Sequence, residues 1–432
     1  MKLLFTLTLI IGTLMASSLP KYETKTLKNG LQIIVIPLKN ETNVISTDIF
    51  YKAGSRNEIM GKSGIAHMLE HMNFKSTKNL KAGEFDKEVK SIGGINNAST
   101  SFDYTHYYIK SSSDNLSKSL ELYAELMQNL KLQDSEFQPE RNVVAEERRW
   151  RTDNSPLGYL YFKMFNNAYV YHPYHWTPIG FMNDIQTWTI DDIKYFHKTY
   201  YQPSNAILMV TGDIEAEEVF KKAKKEFDDI KNTVKIPEFI FKEPIQDGAK
   251  RVLIHKESEV EMLAIAFHIP DFKSPEQISL SVISEILYSG KSSRLYKELV
   301  DKKRLVNQIY AYNMANTDPG LFIFLAVCNP KVKAEDVEKE LITQINLLKT
   351  KEVTKKELDK VKINTKADFI YSLESSTSIA NLYGSYLVRG DLTPLITYEE
   401  DVNKLTTKQI KETANKYFDF DKSTTIILKK GK

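Results

Sequence analysis

His67, Glu70 and His71 stand in the run Gly64-Ile65-Ala66-His67-Met68-Leu69-Glu70-His71-Met72-Asn73-Phe74. The run reads as a helix turn, and residues four apart on a helix share a face, so both imidazoles can point at one ion. Glu70 follows His67 by three residues, lies on that face and can reach a water bound to the same ion. Two nitrogen donors, a carboxylate base and an open position are the least a catalytic zinc site needs. With eight histidines in 432 residues, a random H-x-x-E-H has a chance on the order of one in a hundred. The plain alternative is a pair of hydrogen-bonded histidines on a core helix.

Zinc asks for a third protein ligand. The single cysteine, Cys328, ends the apolar run Leu321 to Val327 and is expected to be a buried strand residue. A carboxylate or histidine must serve instead. The best candidates lie on the predicted helix Pro139-Glu140-Arg141-Asn142-Val143-Val144-Ala145-Glu146-Glu147-Arg148-Arg149. Glu140 and Glu147 are seven apart, two turns along one face, with Val143 and Val144 as apolar footing. Two acids on a half-buried face need a positive charge beside them. From the helix alone, a solvated acidic face is the favoured reading.

The elements that must position these residues follow from periodicity and turn signals. Tyr22 to Lys28 reads as a short strand, Asn29-Gly30 as a hairpin turn, and Leu31 to Ile36 as the returning strand. Asn43 to Tyr51 is another strand, followed by the histidine helix with Ser63 as its expected N-cap. A helix over Ala82 to Ile92 stops at Gly93-Gly94, and two strand-like runs follow, Ile95 to Ser101 and Thr105 to Ser111. Helices are expected over Asp114 to Leu130 and Ser135 to Arg151. The aromatic stretch Tyr159 to Trp176 suits packing between domains better than lining a chamber.

A self-comparison finds a repeat. Asp184 to Lys194, with Tyr200 and the strand Ala206 to Val210, matches Asp401 to Lys411, with Tyr417 and the strand Thr424 to Leu428, at a constant offset of 217. The second copy opens with strands over Arg251 to His255 and Met262 to His268. A helix over Pro275 to Tyr288 then takes the place of the histidine helix and carries no metal ligands. Residues 231–248, with Pro237, Pro244 and Gly248, read as the linker.

Composition narrows the class. A 42% hydrophobic, 27% charged chain is globular, and a net charge of +3 without basic–aromatic runs makes no case for a nucleic-acid partner, so none is expected. Met1-Lys2, the apolar run Leu3 to Met15 and the small residues Ala16-Ser17-Ser18 form the pattern of a secretory signal peptide. The run is too short to span a bilayer, so the mature chain is expected in the periplasm or outside the cell, without stable membrane insertion.

His67-x-x-Glu70-His71 and Glu140-Arg141 through Glu147, the latter 76 residues beyond His71, together resemble the pitrilysin-type zinc peptidases, the inverzincins, in their short form similar to processing-peptidase-like bacterial proteases. The resemblance implies His67, His71 and Glu147 as zinc ligands, Glu70 as the base and Glu140 as a supporting carboxylate, with Glu146 at the surface. Gly93-Gly94-Ile95-Asn96-Asn97-Ala98-Ser99-Thr100 looks like the family's G-G-x-x-N-A-x-T strand, to whose edge a substrate peptide pairs at Asn97, Ala98 and Ser99. Tyr200 to Asn205 and Gly212-Asp213 match too, so the resemblance covers nearly the whole mature chain. It implies an α+β fold of two related domains, each a mostly antiparallel sheet packed with helices. The domains run 19–230, catalytic and zinc-binding, and 249–432, without metal ligands, after a signal peptide at 1–18.

One departure has consequences for partners. The family's chamber commonly takes an arginine and a tyrosine seven apart from a C-terminal domain, after a block like Ser292-Ser293-Arg294-Leu295-Tyr296. The matching positions are Val300 and Asn307, while Arg294, Arg304 and Tyr310 break the spacing. The expectation is a secreted or periplasmic zinc endopeptidase acting on peptides or small unfolded proteins. It would work in a heterodimer with a related chain that supplies the pair, a homodimer being the alternative. The rival reading is a catalytically weak structural or peptide-binding subunit of such a complex.

Overall fold

The computed structural model describes residues 18–238 and 240–431. The expected signal peptide, apart from Ser18, lies outside them. In the first half the strands are β1 (Glu23–Thr26), β2 (Gln32–Pro37), β3 (Val44–Tyr51), β4 (Ile95–Thr100), β5 (Thr105–Ser112) and β6 (Ala206–Gly212). Its helices are α1 (Ile65–Met72), α2 (Glu84–Ser91), α3 (Leu116–Asn129), α4 (Asp134–Arg148), α5 (Pro156–Ala168), α6 (Met182–Thr187), α7 (Ile190–Tyr200) and α8 (Ala216–Phe227). The second half has β7 (Lys250–Lys256), β8 (Met262–His268), β9 (Val306–Asn313), β10 (Leu321–Cys328) and β11 (Thr424–Lys430). Its helices are α9 (Glu276–Tyr288), α10 (Ala334–Thr350), α11 (Lys355–Tyr371), α12 (Ser376–Leu387), α13 (Thr393–Ile396), α14 (Tyr398–Lys404) and α15 (Thr407–Tyr417).

The two sheets are built alike. The first runs β1-β2-β6-β3-β5-β4 and the second β7-β11-β8-β10-β9, so the second is the first without β1. Each has one parallel pair, β2–β6 or β7–β11, and is otherwise antiparallel. The offset of 217 reappears in local chemistry. α7 and α15 both start from a threonine N-cap, Thr189 or Thr406, in a reciprocal capping box with Asp192 or Gln409.

Central strands such as β6 and β10 are buried along their whole length, which is why they read as unbroken apolar runs. Cys328 is buried at the end of β10, as expected. One face of the first sheet packs on the helices of its own half, around Leu69, Leu120, Phe196 and Phe220. Its other face, with Ile34, Phe50, Ile207 and Met209, is covered by Ile379, Ala380 and Tyr383 of α12, from the second half. The exchange is mutual. Leu160, Met164 and Phe165 of α5 cover the second sheet at Met262, Ala264, Ile323 and Ile426. Each of the leucine, isoleucine, methionine and phenylalanine side chains contributes roughly 1.5–3 kcal/mol on burial, so the crossed helices bind the halves into one body. Gly384 lets α12 approach, since a Cβ there would meet the Phe50 ring at 2.1 Å. The aromatic stretch behaves as inter-half packing, with Phe165, Tyr169 and Tyr174 in this second core.

The N-cap of α1 departs from expectation. It is Gly64, in the left-handed region at φ +85°, and not Ser63. Gly64 is also pressed against the Ile179 carbonyl, 2.7 Å from where a Cβ would stand. Ser63 faces elsewhere: its hydroxyl donates to Asp184 at 2.6 Å and accepts from the Phe181 amide at 2.9 Å.

Candidate metal centre

α1 buries Ile65, Ala66, Met68, Leu69 and Met72 in the first core, which leaves His67, Glu70 and His71 on the opposite side, toward α4 and β4. The first orphan amides of α1 are satisfied by Glu58, a residue the sequence did not flag. Its carboxylate accepts from the Gly64 and Ala66 amides, both at 2.8 Å, and from Trp176 Nε1 at 2.7 Å. Burial pushes the Glu58 carboxyl up to about 8, against the pull of those three donors.

The two imidazoles meet at nearly right angles, 80° between ring planes and 4.8 Å between centroids. Glu147 Oε2 on α4 lies 3.7 Å from His67 Nε2 and 3.4 Å from His71 Nε2. Zinc ligands about 2.0–2.1 Å from a tetrahedral centre stand roughly 3.3–3.4 Å apart. The spacing therefore fits an ion that all three atoms share, and two neutral imidazole nitrogens with one carboxylate oxygen are a donor set zinc favours. Among the described residues, this is the one group of three or more histidine, cysteine, aspartate or glutamate side chains close enough to hold a metal.

Around these atoms the support is specific. His71 Nδ1 donates to Glu140 Oε1 at 2.8 Å, and Lys75 Nζ binds the other Glu140 oxygen at 2.5 Å. Arg151 Nε donates to Glu147 Oε1 at 2.9 Å, which leaves Oε2 turned to the histidines. Thr100 Oγ1 donates to Glu70 Oε2 at 2.5 Å. Burial works to raise Glu140, yet His71 and Lys75 overcome it and hold the carboxyl below its ordinary range. His71 chiefly does the same for Glu147. Burial, then the neighbouring His71, hold His67 well below its usual value and so neutral. Burial works to lower His71, yet Glu140 and Glu147 overcome it and push it up to about 9, so a cation entering here finds His67 neutral and displaces a proton from His71. Burial raises the Glu70 carboxyl despite Thr100.

His67, Glu70, His71, Glu147 and Arg151 line an open cleft of about 690 Å³ together with Asn97, Ala98, Ser99 and Thr100 of β4. Among the described residues β4 pairs only with β5, through registers such as Asn97↔Tyr108 and Ser99↔His106. One side of β4 is thus a free sheet edge. All the cleft's lining residues fall between His67 and Ile179. None comes from the second half, among the described residues. Val300 packs against the second half's own core, around Leu263, Leu280 and Ile283, and Asn307 is exposed on β9. Arg294 is committed to a two-pronged pair with Glu357 at 2.8 and 3.0 Å, and Tyr310 donates to Gln308. Tyr161 is the member of the aromatic stretch that both lines the cleft and touches the inter-half core.

Thr100 was legible as the threonine of the edge-strand motif, whereas Lys75, Arg151 and Glu58 carried no local signal. Arg151 sits in a π-helical turn over Arg149–Asp153 that continues α4, and such turns are frequent at functional sites.

Known proteins resemble this chain along its length. Residues 34–171 match the family model described as Insulinase (Peptidase family M16), and residues 187–365 match that described as Peptidase M16 inactive domain. All the metal-centre residues fall in the first of these segments. The zinc protease PqqE of Helicobacter pylori is 56% identical over 416 residues, spanning 96% of this chain and 94% of its own length. The crystal structure of a protease from Helicobacter pylori, 56% identical, superposes with a TM-score of 0.93 over 95% of this chain and 100% of that one. The periplasmic protease PqqL of Escherichia coli, 19% identical, shares the fold at a TM-score of 0.78 over 95% of this chain and 47% of that chain. With an H-x-x-E-H helix, a distant glutamate beside it and this likeness over nearly all its length, the chain belongs to peptidase family M16, the insulinase- and pitrilysin-type peptidases.

Proposed function

We propose that the protein is a zinc-dependent endopeptidase, with His67, His71 and Glu147 holding the metal and Glu70 as general base. The observation that carries this reading is the convergence of His67 Nε2, His71 Nε2 and Glu147 Oε2 beside Glu70 and a free strand edge. Zinc bound there would polarise a scissile carbonyl and lower the pKa of an attacking water. Glu70 then takes the proton from that water and passes it to the leaving amine. Its Oε2 is occupied by Thr100, so Oε1 is the oxygen left for the transfer, and the raised carboxyl is the stronger base for it. A peptide laid along β4 at Asn97, Ala98 and Ser99 would be held by backbone hydrogen bonds, which tolerate many sequences. Peptides and small unfolded proteins are the substrate class this favours. His71 is kept in one tautomer by Glu140, as a ligand histidine should be.

The organisation follows the same reading: a signal peptide over 1–18, a catalytic domain over 19–230, a linker, and a related domain over 249–432 without ligands. The apolar run Leu3 to Met15 supports export, as does the periplasmic name of the Escherichia coli relative. No helix among the described residues is long and apolar enough to cross a membrane. Because no second-half residue lines the cleft and Val300 and Asn307 lie away from it, the missing wall belongs to a partner, a related chain that brings an arginine–tyrosine pair.

Hydrolysis of a fluorogenic peptide, with zinc content measured in parallel, tests this. Glu70→Gln should keep zinc and lose roughly 10²–10⁴-fold in turnover. Parent-rate cleavage by that variant would remove Glu70 from its role. Full activity in a purified homodimer would rule out the requirement for a different partner.

A further inference from the structure

Three arginines close α4 and its π-helical turn, and they are used differently. Arg148 is buried, with Nε and Nη2 each 3.1 Å from Asp153 Oδ1 and Nη1 donating to the Gly180 carbonyl. Its guanidinium also lies 3.9 Å from the centre of the Phe162 ring. Arg149 pairs at the surface with Glu146. Arg151 has Glu147 as its one acidic partner among the described residues, met through Nε. Its Nη1 and Nη2 make no hydrogen bond there, and the side chain, 63% exposed, lines the metal cleft.

The backbone beneath Arg151 is fixed. Gly158, near the start of α5, also lines the cleft, and a Cβ there would stand 1.9 Å from the Arg151 carbonyl oxygen. α5 therefore rests directly on the turn, while Arg148 clamps the turn from inside through Asp153. A guanidinium on such a base, with Nε anchored, has little rotamer freedom left to lose on binding. Its Nη edge offers two parallel N–H donors, the fork that matches a carboxylate.

Charge points the same way. Among the described residues no other lysine or arginine lines the cleft, and Lys75 is matched by Glu140. A zinc ion brings two positive charges, which Glu147 and Glu70 offset. A carboxylate shared with the metal is a weakened partner for Arg151. The loaded site therefore keeps one uncompensated positive charge, and Arg151 carries it on the open side. We propose that Arg151 determines substrate specificity: its Nη edge pairs with a carboxylate of the bound peptide, so that acidic peptides are preferred. This rests on the reading of the cleft as a zinc peptidase site and adds the substrate class. An aspartate or glutamate side chain and a free C-terminus both present the required group.

Fluorescence anisotropy of labelled peptides on the zinc-loaded full chain carrying Glu70→Gln tests it, since that variant should hold peptides without cleaving them. The peptides share one sequence, capped by a C-terminal amide, with glutamate or glutamine at each position in turn. A further set ends in a free carboxylate. One glutamate position, or the free terminus, should bind at least roughly tenfold more tightly than its neutral counterpart. Adding Arg151→Gln should bring that ratio close to one, whereas Arg151→Lys, with the charge but not the fork, should keep part of it. The ratio is taken within one protein, so a general loss through Glu147 cancels. Preference among the amidated peptides identifies an acidic side chain as the partner, and preference for the uncapped set alone identifies the C-terminus. Equal affinity for acidic and neutral peptides before Arg151 is changed, or a preference that survives Arg151→Gln, would overturn the inference and leave the zinc peptidase reading standing. Failure to bind any peptide would remove both.

Discussion

His71 Nδ1 lies 2.8 Å from Glu140 Oε1 and donates to it, and that bond decides which nitrogen of the ring is left for a metal. Nε2 is the free one, and it is Nε2 that approaches Glu147. Lys75 in turn anchors Glu140 from the next turn of chain. Removing the carboxylate in Glu140→Gln should leave the fold intact and weaken zinc roughly 10- to 100-fold. Competition with a chromophoric chelator reads the affinity directly. An unchanged zinc Kd would mean that Glu140 only balances charge.

Metal should also stabilise the protein. A ligand bound only to the folded state adds about 2.7 kcal/mol at a hundred times its Kd. Chelation is therefore expected to lower the unfolding temperature of the parent, and zinc to restore it. In Glu147→Gln the response should be much reduced, because one of three donors is gone. A chelator that leaves the parent's melting unchanged would argue against a bound ion.

Glu58 is the hinge of the local architecture, although it touches no ligand. At 2% exposure it satisfies two helix amides and an indole. Glu58→Ala leaves all three donors buried, at roughly 1–3 kcal/mol each before relaxation. Denaturant unfolding should show a loss of about 3 kcal/mol or more, larger than for any surface glutamate.

The Arg294–Glu357 pair makes a prediction about acid. Arg294 holds the Glu357 carboxyl down to about 2, below its ordinary 4.5. A depressed carboxylate stabilises fully above its unfolded pKa and loses that contribution as pH falls toward the folded one. The window here runs from 4.5 down to about 2. Arg294→Gln should move the acid-unfolding midpoint upward while leaving zinc content at neutral pH untouched. Matching acid transitions in the two proteins would show that the pair contributes nothing.

What the sequence made legible was local or carried by a motif. His67, Glu70 and His71 could be read because four residues of helix fix their shared face, and Glu140 with Glu147 because the family block supplied the distance. The repeat was visible through Thr189 and Thr406, caps that the backbone of each helix requires. Ser63 was misread because a hydroxyl before a helix is ordinarily its cap, whereas a left-handed glycine and a distant carboxylate do that work here. Glu58 with Trp176 and Arg56 with Asp318 are pairings across 118 and 262 residues. No periodicity announces them. The exchange of α5 and α12 was hidden for the same reason, since an apolar stripe does not name the sheet it will cover.

That exchange changes what it means to cut this protein. Residues 231–238 and 240–249, with no helix or strand, are where a protease would be expected to nick the chain. Yet each fragment would still have a helix lodged in the other, α5 on the second sheet and α12 on the first. The nicked molecule would stay a single particle on a sizing column. Neither half expressed alone would be expected to remain soluble, because each would expose a bare sheet face, and mixing the two during refolding would be the route back to the native fold.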